Sequence, residues 1–405
     1  MHSSKGILGS SGNELSGKRI CLGVTGSVAA SRSADLAREL MRRGAEVFCV
    51  MSRDAQKLVG PALLHWATGN PVVAELTGEC EHITFCGETD EKADLLLIAP
   101  CTANTLGKIA WGIDDTTVTT FATTALGAKI PIVIAPAMHL SMYSQPLVAG
   151  NIRTLKKIGV EFAGPHISEG KAKVAENSEI VDFCIRRLSK KTLAGKKIVV
   201  TAGATREFLD DVRFISNPSS GKMGIAVARE AWIRGADVAL VAGHCSSPIP
   251  PYLKVVRAES AEEMLSAVKK AVKGAHAVVL ASATGDFTVK RADGKISSAK
   301  KVSLLLSPVR KISDSMKKWN PKVELVVFKA ESNVSDAVLA KSALAKMKAC
   351  NADLAVANDV SKKGAGFSAD SNRVLILDKS GRMERAQGRK SEIAWLIFEL
   401  AQIPR

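Results

Sequence analysis

Several short stretches place chemically capable side chains where the chain changes direction. In "APAMHLSMY" (135–143) an apolar run ends in Met138, His139, Met142 and Tyr143. His139 reads there as a catalytic group, a metal ligand or a polar residue closing a buried strand. In "VTGSVAAS" (24–31) Gly26, Ser27, Val28 and Ala29 stand where a strand becomes a helix, so free N–H groups and a hydroxyl can hold a phosphate. The full dinucleotide fingerprint GxGxxG is absent, and a turn that needs glycine for steric reasons is the competing reading.

"RFISNPSSGKMG" (213–224) gathers Asn217, Ser219, Ser220, Gly221 and Lys222 ahead of a helix. Amides, hydroxyls and an ammonium converge there on an anion. Met223 occupies the Ser/Thr position of a Walker A loop, so that motif does not apply. An ordinary N-cap explains one serine but not the cluster. "ASATGDF" (281–287), "GKISSAKK" (294–301), "VVFKAE" (326–331) and "VANDV" (356–360) follow or end strands. Together they read as a nucleotide site, although the lysines alone fit a solvated basic loop.

His82 stands between Cys80 and Cys86 in "ECEHITFC", just before a short predicted helix; if 82–92 is helical, Cys86 shares its face. No fourth ligand lies at a zinc spacing. A base fits a side chain that titrates near neutrality, and a packed structural histidine is the default for either residue alone.

These residues need a scaffold. "KRICLGVTGSVAASRSADLARELMRRGAEVFCVMS" (18–52) reads as strand, Gly/Ser turn, amphipathic helix and strand, and the grammar recurs in "ADLLLIAPCTANTLGKIAWG" (93–112) and "IPIVIAPAMH" (130–139). Strands separated by helices of this length predict a parallel sheet covered on both faces, with ligands at the carboxyl ends of the strands. The grammar restarts in "TLAGKKIVVTAGATRE" after Lys191. The expected division is a loose tail at 1–17, one domain at 18–191 and a second at 192–405. The fold class is α/β, with two Rossmann-like doubly wound domains.

Two cores agree with 405 residues, more than one core usually serves. The formal charge of +16 favours anionic partners, and aromatics at 4% leave few stacking platforms for single-stranded nucleic acid. Small phosphorylated ligands are expected, with no nucleic acid and no membrane. The eight cysteines lack CxxC spacing and read as reduced thiols of a cytoplasmic protein.

In this order, over about residues 18–400, the stretches resemble the bifunctional phosphopantothenoylcysteine decarboxylase/phosphopantothenate–cysteine ligase family of coenzyme A biosynthesis. "TGSVAAS", "EHI", "APCTAN" and "PAMHLSMY" resemble the flavodoxin-like, FMN-dependent cysteine decarboxylase half; "TREFLDDVRFISNPSSGKMG", "GDF", "GKI", "FKAE" and "ANDV" resemble the ligase half. For the first half the resemblance implies FMN held by Gly26, Ser27, Val28, Ala29, Thr102, Ala103, Asn104 and Met138. His82 is then the active-site histidine, and His139 and Met142 bind substrate. The family usually has Asn at the position of His139, so an imidazole stands in for an amide. A flap cysteine that commonly serves as acid is missing from "GPHISEGKAKVAENSE" (164–179), which leaves His166, Cys86 or Cys101 as substitutes.

For the ligase half the resemblance implies CTP-dependent activation of 4′-phosphopantothenate through an acyl-cytidylate, followed by amide formation with cysteine. Asn217 and Lys295 would be catalytic, with Ser219, Ser220, Gly221 and Lys222 binding substrate. Ala281, Ser282, Ala283, Asp286, Lys295, Phe328, Lys346 and Lys348 would bind nucleotide, with Mg²⁺ carried by the triphosphate. Where the family often continues with lysines after Lys295, this chain has Ser297 and Ser298, so Lys300 or Lys301 would supply that charge. The resemblance also implies a homo-oligomer, with a dodecamer among the possibilities. Two other readings compete: a flavin-binding regulatory or scaffold protein with ligase activity only, and an NAD(P)-dependent dehydrogenase, which the absent GxGxxG disfavours.

Overall fold

In the computed structural model, which describes residues 2–299, 301–361, 366 and 369–403, the chain forms two compact units, Met1–Lys190 and Lys191–Arg405. Lys300 lies outside the described residues.

The first unit contains strands β1 (Arg19–Val24), β2 (Glu46–Met51), β3 (Val72–Val73), β4 (Leu95–Cys101), β5 (Ile132–Pro136), β6 (Met138–His139), β7 (Glu161–Phe162), β8 (His166–Ser168) and β9 (Lys171–Lys173). Its helices are α1 (Ser33–Arg42), α2 (Arg53–Gln56), α3 (Pro61–Thr68), α4 (Glu81–Cys86), α5 (Ala103–Ala110), α6 (Thr117–Gly127), α7 (Leu140–Ser144), α8 (Pro146–Lys157) and α9 (Asn177–Leu188). The main sheet runs β3-β2-β1-β4-β5-β7, all parallel. This is the Rossmann order, and it explains the unbroken apolar strands: every residue of β4 is buried because helices cover both faces. α1 turns Leu36, Ala37, Leu40 and Met41 inward at helical spacing.

The expected loose tail is instead packed. Leu15 is 0% exposed, and the amides of Gly9, Ser11 and Leu15 donate to the carbonyls of Met41, Arg42 and Arg43 at 3.0, 2.8 and 2.9 Å. The last carbonyls of a helix have no partner within it, and this segment supplies donors to the end of α1.

The second unit contains β10 (Lys197–Ala202), β11 (Arg206–Phe208), β12 (Phe214–Ser216), β13 (Asp237–Ala242), β14 (Lys254–Arg257), β15 (Ala277–Leu280), β16 (Phe287–Val289), β17 (Leu306–Pro308), β18 (Glu324–Glu331), β19 (Leu354–Asp359), β20 (Ser371–Asp378) and β21 (Met383–Arg389). Its helices are α10 (Lys222–Ile233), α11 (Ala261–Ala271), α12 (Met316–Trp319), α13 (Asp336–Cys350) and α14 (Lys390–Leu400). The main sheet runs β14-β13-β10-β15-β18-β19-β20-β21. Alternate residues of one strand serve opposite cores: Ile198 and Val200 pack on one face, Val199 on the other. The sheet is parallel through β19, then continues in antiparallel β20 and β21. Between β20 and β21 the cause is simple: the connection at 379–382 is far too short for a parallel crossover.

Candidate active sites

In the first unit β1 pairs with β2 on one side and β4 on the other, so the chain leaves in opposite directions and opens a crevice at the strand ends. Thr25 ties the two ends together. Its hydroxyl donates to the Pro100 carbonyl at 2.8 Å and accepts the Thr102 N–H at 3.0 Å. Thr102 then caps α5, accepting the Thr105 N–H at 3.3 Å. A Cβ on Gly26 would stand 2.5 Å from the Asp54 Cβ, so only glycine lets these two turns approach.

The resulting cleft measures about 1100 Å³. It brings together all the expected flavin contacts, Gly26, Ser27, Val28, Ala29, Thr102, Ala103, Asn104 and Met138, with His139 and Met142. Sequence reasoning missed Arg32, Arg53, Lys171 and Lys173, which also line it. They come from a helix flank, a second strand end and the β8–β9 hairpin, and no contiguous motif joins them. That hairpin pairs with β6, setting Met138 opposite Ala172 and His139 opposite Lys171.

The donor set fits a flavin mononucleotide. Small and apolar groups, including Val28 at 82% exposure, offer surface to a flat ring. Capped turns at Ser27 and Thr102, with Arg32 and Arg53, offer N–H groups, hydroxyls and cations to a phosphate.

His82 does not join the cleft-lining residues. It lies within α4 rather than before it, and its buried Nδ1 has no hydrogen-bond partner among the described residues. α4 stops at Cys86, not at residue 92. Cys86 and Cys101 are 0% exposed in the core. A hydrogen bond to Cys86, together with burial, pushes the Cys21 thiol up. Among the described residues no group of three or more His, Cys, Asp or Glu could hold a metal ion.

The second unit has a smaller cleft, about 390 Å³, at the junction of β10 and β15. Thr201 in β10 and Thr205 just before β11 position the turn after β15 by accepting the N–H groups of Ser282 and Gly285 at 3.0 and 2.9 Å. Asn217 joins that turn through Nδ2, which donates to the Ala283 carbonyl at 3.3 Å. Gly221 begins α10 with φ of 81°, and a Cβ there would meet the Cys245 Sγ at 2.5 Å. Asn217, Ser219, Gly221, Lys222, Ala281, Ser282, Ala283, Asp286, Phe328 and Lys346 all line this cleft.

Three expected residues do not. Ser220 is buried, with its carbonyl accepting the Ser247 N–H at 3.2 Å. Lys348 is exposed on α13, two residues from Lys346, a spacing that points side chains apart. Lys295 is exposed on a loop outside the cleft. Asp210 fastens that loop by accepting the Ile296 N–H at 3.0 Å, while Arg213 bonds the Ile296 carbonyl. Burial opposes ionisation of Asp210, but the amides of Arg213, Val212 and Ile296 outweigh it and hold the carboxyl at about 2.

Cations missed by sequence reasoning complete the cleft: Arg310, Lys311, Lys329 and Lys390. Lys390 is 5% exposed, and burial with the charge of Lys222 lowers its ammonium to about 8. Lys222 itself pairs with Asp370 at 2.5 Å. The run "VRK" at 309–311 was the available signal; Lys390 had none, because it comes from the far end of the chain.

Known proteins share this organisation. The family model described as Flavoprotein matches residues 8–189, and the DNA/pantothenate metabolism flavoprotein C-terminal domain matches 193–403. The Coenzyme A biosynthesis bifunctional protein CoaBC of Thermococcus kodakarensis is 47% identical over 403 residues, covering 98% of each chain. Proteins of that name from Methanocaldococcus jannaschii and Bacillus subtilis are 35% identical; the first alignment covers 98% of this chain and 97% of the relative, the second 91% and 92%. No helix of the described residues is long and apolar enough to cross a membrane.

Proposed function

The chain belongs to the family of bifunctional coenzyme A biosynthesis proteins, and from that premise we propose how each unit does its part. The protein is an enzyme with a flavoprotein decarboxylase half and a ligase half. Nothing in either cleft favours a scaffold role.

The ligase reaction belongs to the second unit. The carboxylate of 4′-phosphopantothenate attacks the α-phosphorus of CTP, pyrophosphate leaves, and the amine of cysteine displaces CMP to form the amide. A bare carboxylate resists amine attack, which is why activation comes first. Lys222, Lys329, Lys346, Arg310 and Lys311 surround the cleft and offset the triphosphate's charge; Mg²⁺ arrives with the nucleotide. Asn217, held against Ala283, orients the acyl group. Lys295, on the loop that Asp210 fastens, stabilises phosphate charge.

The first unit releases carbon dioxide from 4′-phosphopantothenoylcysteine. FMN, when bound, supplies a two-electron oxidation at the thiol-bearing carbon, which makes the neighbouring carboxylate a leaving group, and returns the electrons afterwards. Gly26, Ser27 and Thr102 hold the phosphate, Val28 and Met138 flank the ring, and His139 binds the substrate carboxylate. His82, outside the cleft of its own chain, serves the site of a neighbouring copy in a homo-oligomer.

The observation that carries this reading is the contrast between a wide, partly apolar cleft in one unit and a cation-ringed one in the other. Incubation with phosphopantothenate, cysteine, CTP and Mg²⁺, with pyrophosphate and carbon dioxide measured separately, tests both halves. Both products are expected. Pyrophosphate alone leaves only a ligase, and neither product, with CTP or ATP, removes the enzyme reading.

A further inference from the structure

Decarboxylation has a fixed proton balance. A carboxylate leaves as carbon dioxide, the electron pair of the broken C–C bond becomes a C–H bond, and one proton is consumed. The flavin site therefore needs a proton source. Most of its charged side chains are engaged in surface ion pairs: Arg32 with Glu176 at 2.6 Å, Asp54 with Lys57 at 2.7 Å, and Lys173 with Glu169 at 2.9 Å. His139 already has the substrate carboxylate. Cys86 and Cys101 are sealed in the core, and burial pushes the Cys101 thiol up.

His166 differs from all of these. It begins β8, lines the cleft, and its Nε2 lies 2.6 Å from Oε2 of Glu179 in the first turn of α9. The Glu179 side chain is 7% exposed and the imidazole 35%, so the carboxylate is withdrawn from water while the ring still reaches it. With Nε2–H committed to Glu179, Nδ1 carries the exchangeable proton. Burial holds the Glu179 carboxyl above its ordinary range, against the lowering effect of His166. Asp182 of α9 and Glu176 just before it add negative charge around this carboxyl. Lys173 stands opposite His166 across the hairpin.

We propose that His166, oriented by Glu179, is the proton donor of the decarboxylase cleft. The assignment rests on the decarboxylase reading above. The imidazolium gives one proton to the carbon that bore the carboxylate, becomes neutral, and regains a proton from water. Glu179 is a positioning residue that holds the ring toward the cleft.

The test compares wild type, His166→Ala and Glu179→Gln as full-length protein. Carbon dioxide, pyrophosphate and, in flavin-free protein, FMN binding by fluorescence quenching are measured. His166→Ala is expected to lose carbon dioxide release by about 100-fold or more, with ligation and FMN binding unchanged and release partly restored by added imidazole. Glu179→Gln is expected to lower release by about tenfold without weakening FMN binding. Retained release in His166→Ala overturns the assignment. So does parallel loss of FMN binding without imidazole rescue, which makes the pair a tether for the hairpin. A wild type that releases no carbon dioxide overturns the decarboxylase reading and this assignment with it.

Discussion

The carboxylate of Asp210 accepts the Ile296 N–H at 3.0 Å and meets the Arg213 guanidinium at 3.0 Å, joining the segment that leads to Asn217 to the loop that carries Lys295. Asp210 is 0% exposed, so this junction is a fixed point beneath an otherwise exposed loop. Asp210→Asn keeps the shape and removes the charge. Ligation is expected to fall about tenfold or more, because bonds to a charged acceptor are worth roughly 1.5–3 kcal/mol, while carbon dioxide release from supplied phosphopantothenoylcysteine stays unchanged. The folded chain holds this carboxyl at about 2, below its ordinary 3.8. Its stabilising contribution is thus full above the ordinary value and lost as pH falls through about 2. Acid unfolding of the variant, followed by circular dichroism, should show a shallower loss over that window.

His139 is exposed at the end of β6 and lines the flavin cleft. His139→Ala should raise KM for decarboxylation about tenfold or more, the worth of one hydrogen bond to a charged group. Pyrophosphate formation should remain untouched. His139→Asn should recover much of the loss, since an amide also donates to a carboxylate. Equal damage to both activities would assign His139 a structural role.

Gly221 combines φ of 81° with a 2.5 Å approach to Cys245 Sγ. Gly221→Ala adds about 1–2 kcal/mol of backbone strain and an overlap that displaces the start of α10 from the cleft. Ligation should fall, and the thermal transition of the second unit should drop by several degrees. The double variant Gly221→Ala, Cys245→Ala should recover part of the transition, because it removes the Sγ overlap and leaves the 3.0 Å approach of the residue-245 Cβ and the φ cost.

Lys390 is a buried ammonium lowered to about 8 beside Lys222. Binding of the anionic ligase substrate, measured by calorimetry, should weaken as pH rises through about 8, where the charge is lost. Lys390→Met should bind more weakly at pH 7 and show a flatter profile. The sign for stability is opposite: burying this cation costs most below about 8, and the cost fades toward its ordinary 10.5. Lys390→Met should therefore gain thermal stability at neutral pH and lose that advantage in alkali.

Much of this protein was determined by sequence-local physics. Apolar runs such as "LLLIAP" must be buried on both faces, and the polar or Gly-containing turns that follow such runs must sit at strand ends, so both clefts were legible from 24–31, 101–104 and 281–286, with the anion-binding cluster at 217–222. Tertiary structure decided what depends on distant segments meeting. It packed residues 3–16 onto the end of α1, brought Lys390 beside Lys222, and set Glu179 against His166. It also withheld His82 and Lys295 from the clefts of their own units, though both stand in recognisable motifs. The reason is physical: backbone preference and hydrophobic period act over a few residues, whereas a hydrogen bond or a displaced pKa depends on which side chains the fold brings within a few ångströms.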